Sequence, residues 1–304
     1  MHVDTLMNGL REKSHKSDKV TDLTIWFDSF GLDIISDLTY GQPFGCLEAK
    51  GEVTPEVKIV SSSLKISAWY RAIRRMPQLV QHMIQVILPR KLVQKRQERI
   101  QYNIQKIHER MERDANRPDV FWFMNASSDK GHMTPDEIAS SMSILMAAGS
   151  ETTATTLAGC TFCMLQNPQS FEDLRQELLQ HFSNEAEISL EKLASCQILT
   201  AIITESLRIY PPTPSTLPRR VPASGAIIAG NHIPAGAVVG MNHWATHRSE
   251  RHFHKPTTFA PVRWMQGDDT FAQDDKSAFK PFMLGPRNCL GQRYVNRKDT
   301  EYKI

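Results

Sequence analysis

The chain has 304 residues, 40% of them hydrophobic and 23% charged, which excludes a disordered or collagen-like polymer and predicts a globular protein. A formal net charge of +3 is too small to argue for nucleic acid as a partner. Five scattered cysteines, an odd number, fit a reducing compartment without a disulfide framework.

Met1-His2-Val3-Asp4-Thr5 opens the sequence without the apolar run of a signal peptide, and no stretch is long and apolar enough to span a bilayer. Residues 1–45 predict two short helices, the second carrying Phe27, Phe30, Leu32 and Ile35 and closing in Gly41 and Pro43. Residues 55–112 predict helix with basic faces turned to solvent (Arg71, Arg74, Arg75, Arg90, Lys91, Lys95, Arg96, Arg99), a weaker alternative being a peripheral membrane surface. Thr134-Pro135-Asp136-Glu137 combines an N-cap, a proline at the first helical position and a glutamate at the third, a capping box. The helix it starts meets no breaker before Asn167-Pro168, so a helix near 134–166, roughly 50 Å long, is expected to cross the core. Pro168–Phe182 and Leu190–Tyr210 read as further helices, and residues 226–239 as a small β-hairpin. The fold class is mainly α with small β-sheets (α+β), with no internal repeat and no domain linker.

Three patterns carry chemistry. The first is Phe282-Met283-Leu284-Gly285-Pro286-Arg287-Asn288-Cys289-Leu290-Gly291. Gly285 and Gly291 permit backbone shapes that a Cβ would block, and such a loop can aim N–H groups at the Cys289 sulfur and favour the thiolate. A thiolate so held can be the axial ligand of a haem iron. A plain buried cysteine is the competing reading, and five fixed positions in ten weigh against it. The second is Ala148-Gly149-Ser150-Glu151-Thr152-Thr153 within the long helix. Gly149 costs about 1 kcal/mol relative to Ala and leaves a notch where a ligand could approach, while Thr152 can bond back one turn and open the helical ladder for a water. A helix–helix contact of small residues is the alternative. The third is Glu205-Ser206-Leu207-Arg208, an i,i+3 pair in apolar surroundings, which argues for partial burial over an exposed ion pair of little worth.

The loop resembles the haem-binding loop of the cytochrome P-450 family, F-x-x-G-x-R-x-C-x-G, with Met283 a mild departure. Residues 148–153 resemble that family's oxygen-activation segment and Glu205/Arg208 its E-x-x-R motif, in the style of microsomal-type fungal members. The resemblance implies haem b bound through Cys289, with Phe282, Gly285 and Gly291 shaping the loop, Arg287 facing a propionate, and Ala148 and Gly149 beside the cofactor. It implies proton handling by Thr152 and Glu151, and a scaffold triad of Glu205, Arg208 and Arg263. Val262 stands where the family has an acid, which predicts a looser triad. A propionate contact falls on Arg219 or Arg220. The implied activity is a monooxygenase acting on a small apolar substrate with O2, with electrons from NADPH through NADPH–cytochrome P-450 reductase. Intact relatives sit on the endoplasmic reticulum membrane; this sequence is expected to be intracellular, without their anchor.

The same resemblance runs over residues 1–293 as a partial domain lacking the anchor and early helices, with residues 294–304 an aberrant polar tail. A truncated non-catalytic fragment, or a haem-binding protein without turnover, therefore stand as alternatives. Cys160-x-x-Cys163 and His243-x-x-x-His247 have metal-like spacings but lack a second ligand pair and a glutamate respectively. Both are expected to be structural.

Overall fold

The computed structural model describes residues 2–16, 20–87, 90–113, 118–128, 133–215 and 217–292. The chain divides into two compact units, Met1–Thr155 and Thr156–Ile304.

The first unit holds α1 (His2–Lys16), α2 (Leu23–Tyr40), α3 (Pro55–Ile73), α4 (Gln78–Ile87), α5 (Arg90–Met111), α6 (Val120–Ser128) and the first part of α7 (Pro135–Gln166). The helical reading of 55–112 thus resolves into three helices. Of its basic side chains Arg74 and Arg75 are exposed; the other six residues lie in described helix, with their side chains outside what is described. The Asp22 side chain caps α2 by accepting the Thr24 N–H, and Gly41 ends it in the left-handed conformation (φ 75°), donating its N–H to Asp37 O. α2 packs against α1, α3, α5 and α6. The core joins Leu32 and Tyr40 of α2 to Cys46, Val57, Ile107 and Phe121, and to Ile138, Met142 and Met146 of α7. Those last three recur every four residues, so they share the inward stripe of α7. Each such side chain is stabilised by roughly 1.5–3 kcal/mol on leaving water. The buried Asp33 carboxylate accepts the N–H groups of Cys46 (2.8 Å) and Leu47 (2.9 Å), which docks the 3-10 turn Cys46–Ala49 on α2.

The capping box forms as expected: Thr134 Oγ1 accepts the Glu137 N–H at 3.3 Å, and Glu137 Oε2 accepts the Thr134 N–H at 2.8 Å. α7 then runs 32 residues without a break.

The second unit holds α8 (Pro168–His181), α9 (Leu190–Leu193), α10 (Gln197–Ile209), β1 (Arg219–Arg220), β2 (Ala226–Ile228), β3 (Asn231–Ile233), β4 (Val238–Val239) and α11 (His243–His247). The single helix expected over 190–210 is two. Ser189 caps the single turn of α9, accepting the Lys192 N–H. The buried Glu177 of α8 then starts α10 afresh, accepting the N–H groups of Ile198 (2.8 Å) and Leu199 (2.9 Å). A carboxylate at a helix N-terminus satisfies orphan donors and meets the positive end of the helix dipole. The hairpin is also shorter than expected. β2 and β3 pair across Ala229 and Gly230, both at positive φ as a two-residue primed turn requires. β4 turns away after Pro234–Gly236 and pairs antiparallel with β1 instead.

Candidate active site

α10 carries Glu205 and Arg208, and both are fully buried. Arg208 Nε donates to Glu205 Oε2 at 2.8 Å and its Nη2 to Oε1 at 2.7 Å, a bidentate pair. The other donors of Arg208 reach the carbonyls of His247 (2.7 Å), Pro256 and Thr258 (3.0 Å). Arg263, on the 3-10 turn Pro261–Trp264, brings Nε to 3.4 Å from Glu205 Oε1. The Trp264 indole N–H donates to Glu205 Oε2 (2.9 Å) and the Ala260 N–H to Oε1 (3.0 Å). Both guanidiniums lie over the Phe253 ring, 5.2 and 5.7 Å from its centroid.

The looser triad expected from Val262 is not found. Val262 is partly exposed, so a side chain there does not face the buried charges. The second anion is Asp274, which accepts from Arg263 Nη1 and whose side chain is buried. Asp274 escaped the sequence reading because Gln273-Asp274-Asp275-Lys276 looks like a solvated loop. The one available signal was arithmetic: two buried arginines against a single glutamate needed another carboxylate.

The Cys289 loop lies in the same unit. Its N–H groups are taken up within the loop: Cys289 N–H donates to Phe282 O at 2.9 Å, and Asn288 N–H to Gly285 O at 3.0 Å. Gly285 adopts φ 79° and Met283 φ 64°. No N–H among the described residues is hydrogen-bonded to the sulfur, contrary to expectation, because the tight turn aims the amides at carbonyls. A Cβ on Gly291 would lie 3.7 Å from Cys289 Sγ, so this glycine backs onto the sulfur. Cys289 and Arg287 are exposed, and Phe282 is half-buried. A cavity of about 260 Å³ adjoins the loop, lined by Ile203, Leu207, Phe279, Pro281, Phe282 and Met283 among others. Its wall therefore joins the helix of the buried pair to the loop of the cysteine.

Residues 148–153 belong to the first unit. Thr152 Oγ1 donates to Ala148 O at 2.6 Å, the expected back-bond, while the helix continues unbroken and the expected opening of the ladder is absent from it. The notch expected at Gly149 is filled: a Cβ there would stand 2.6 Å from Ile35 Cδ1. Across the same seam a Cβ on Gly31 would stand 2.6 Å from Ser150 O. The two glycines let α2 and α7 approach closely, the small-residue contact named above as the alternative. Glu151 is half-buried and lines a crevice with Asp28, Leu32, Val57 and Ser61.

The sequence profile of the cytochrome P-450 family matches residues 1–294. The chain belongs to the cytochrome P-450 family. It is 38% identical over 291 residues to cytochrome P-450 monooxygenase aclL of Aspergillus oryzae, covering 96% of this chain and 59% of that protein. It is 35% identical to cytochrome P-450 monooxygenase lcsI of Purpureocillium lilacinum, over 97% of this chain and 57% of that one. With averantin hydroxylase of Dothistroma septosporum it shares 36% identity, over 97% and 55% respectively. The chain thus spans a little over half the length of these relatives. Cytochrome P-450 membership implies haem as the cofactor.

Of the two arginines suggested for a propionate in a cytochrome P-450, both sit on β1 and are exposed. Arg219 Nη1 donates to Leu217 O and Pro218 O, Arg220 Nη1 to Gly236 O. Neither geometry singles one out. Cys160 and Cys163 are held away from reactivity: burial raises both thiols, Cys163 to about 11. His243 and His247 stack face to face, ring centroids 5.5 Å apart, and are buried. Neither ring nitrogen of His247 has a partner among the described residues, and burial lowers its pKa to about 4. No metal-binding group of histidine, cysteine and carboxylate occurs among the described residues. The C-terminal tail expected at 294–304 lies outside the described residues.

Proposed function

We propose that residues 1–293 are a partial cytochrome P-450 domain that binds haem b through Cys289 and serves the oxidation of a small apolar organic molecule. The observation that carries this is the exposed Cys289 on a family-matching loop beside a cavity of mixed lining, with Ile203, Leu207, Phe279 and Phe282 as its apolar wall, while Cys46, Cys163 and Cys196 are buried. The donor set suits the cofactor. An exposed thiol with no hydrogen bond to another described residue would hold the haem iron, and exposed Arg287, with Arg219 or Arg220, would meet propionates. Haem, when bound, supplies an iron at which O2 is activated, with electrons originating in NADPH and delivered by a partner reductase.

The remaining roles belong to side chains. Thr152 Oγ1 donates to Ala148 O and is the candidate hydroxyl for orienting a proton-bearing partner. Glu151, one residue away, is the candidate group for passing protons onward. Glu205, Arg208 and Arg263 hold the frame on which the loop rests. The names of the relatives, an averantin hydroxylase among them, support hydroxylation of a fungal secondary metabolite as the reaction class. Association with the endoplasmic reticulum membrane follows from the same kinship; no helix among the described residues is long and apolar enough to cross a membrane.

The deciding experiment is the carbon monoxide difference spectrum of the reduced, haem-reconstituted protein. A red-shifted Soret band typical of thiolate ligation, lost in Cys289→Ser, is the expected outcome. A neutral-ligand band, or one that Cys289→Ser leaves unchanged, overturns the assignment. A second reading, haem binding without turnover, is favoured by the exposure of Leu284 and Leu290 beside Cys289, which leaves the sulfur open to water. Thr152→Ala separates the two: uncoupled peroxide release supports turnover, and no effect supports binding alone.

A further inference from the structure

We propose that Asp274 is a positioning residue that neutralises Arg263 and thereby holds the segment leading into the Cys289 loop; this rests on the assignment of Cys289 as the working thiol. The buried frame contains two guanidiniums, Arg208 and Arg263. Glu205 already takes a bidentate bond from Arg208, and its contact with Arg263 is the long one at 3.4 Å. Asp274 supplies the fourth charge and makes the group neutral. Its side chain is 1% exposed, and a lone buried guanidinium is far costlier than a paired one.

Asp274 also acts on the backbone. Its Oδ1 accepts the His254 N–H at 2.6 Å, while Arg263 Nη1 donates to His254 O at 3.0 Å. The strand of chain at His254 is therefore gripped from both sides by one ion pair. From Asp274 the chain runs fifteen residues to Cys289 with only single-turn structure. It is pinned near its start by Asp275, whose N–H donates to His252 O (2.7 Å) and whose carboxylate meets His252 Nδ1 (3.0 Å). Farther on, Phe279 sits between Trp264 (4.9 Å) and His247 (5.0 Å). Trp264 is bonded to Glu205, so the second pin returns to the same buried frame. The side-chain contact between Asp275 and His252 lies at the surface and contributes little. The Asp274–Arg263 pair is the buried attachment at which the segment leaves the frame.

The test is hydrogen exchange on the folded protein without added haem, comparing the segment 276–292 with helix α8. Asp274→Asn keeps the shape and removes the charge. The expected result is exchange in 276–292 about tenfold faster, with α8 little changed. Equal acceleration in both, the signature of a merely stabilising role, overturns the proposal, as does no change. If the amide variant does not fold, Asp274→Glu decides. A folded protein with exchange in 276–292 within about threefold of wild type supports the charge assignment, and a glutamate variant that also fails to fold overturns it. The thiolate Soret band is read separately. Its absence in the wild type sinks the Cys289 assignment and leaves the exchange result to stand on its own.

Discussion

The buried frame of Glu205, Arg208, Arg263 and Asp274 and the Cys289 loop lie in one unit and are built in opposite ways. Every charged group of the frame is out of water, and each carboxylate oxygen has a donor. The loop is largely open to solvent, satisfies its amides on its own carbonyls and turns its thiol outward. Stability is concentrated in the first, and ligand chemistry is assigned to the second. A frame of paired charges tolerates no single deletion, because the survivor is left buried and unpaired. An exposed thiol can be replaced at little structural cost, because it is not part of a packed interior.

That contrast can be broken at several points, beginning with the largest effect. Glu205→Gln leaves both arginines short of a counter-charge and is expected to lower stability by about 3–5 kcal/mol in a urea titration. A loss below about 1 kcal/mol means the pair is worth no more than a surface one.

Acid should weaken the same region through His247, which lies against Arg208 and Phe279. Its pKa is about 4 in the folded protein against 6.5 for the free group. Between those values the unfolded chain binds more protons, so stability rises with pH across the window. The contribution is intact above about pH 6.5 and is lost as pH falls to 4, to a maximum of about 3 kcal/mol. Denaturation curves from pH 4 to 7 on wild type and His247→Gln should differ in slope, and parallel curves would contradict the burial of an uncharged ring.

Glu177 acts one step back from the frame, by starting α10. Glu177→Ala is expected to cost about 1.5–3 kcal/mol, since two charge-assisted bonds to partly buried N–H groups vanish, with Glu177→Gln in between. Equal losses for both variants would show that the charge at the helix terminus is irrelevant.

The smallest stability effect belongs to the residue of greatest functional interest. Cys289→Ser should change the unfolding midpoint by no more than about 0.5 kcal/mol equivalent. In the native protein a thiol reagent should modify Cys289 first and Cys46 last, since burial pushes the Cys46 thiol up to about 12. Modification of Cys46 at a comparable rate would falsify the division between an open loop and a closed interior.

Local sequence determined a good deal here. The capping box at Thr134 and Glu137, the stop at Gly41 and the i,i+3 spacing of Glu205 and Arg208 are contacts between near neighbours, legible wherever they occur. The decapeptide around Cys289 pointed to its family for the same reason: its information lies within ten residues. Arg263 as the distant partner of Glu205 came through the family resemblance; other features that need a distant partner could not be read. Gly149 looks like a ligand notch until Ile35 is brought against it, and Val262 looks like a missing anion until Asp274 arrives from eleven residues beyond Arg263. The helix over 190–210 looks continuous until Glu177 reaches across from α8 to begin it again at Gln197. Burial decided each of these cases. A carboxylate or a glycine has no fixed role in a sequence, and acquires one when packing removes water and leaves a single neighbour to satisfy it.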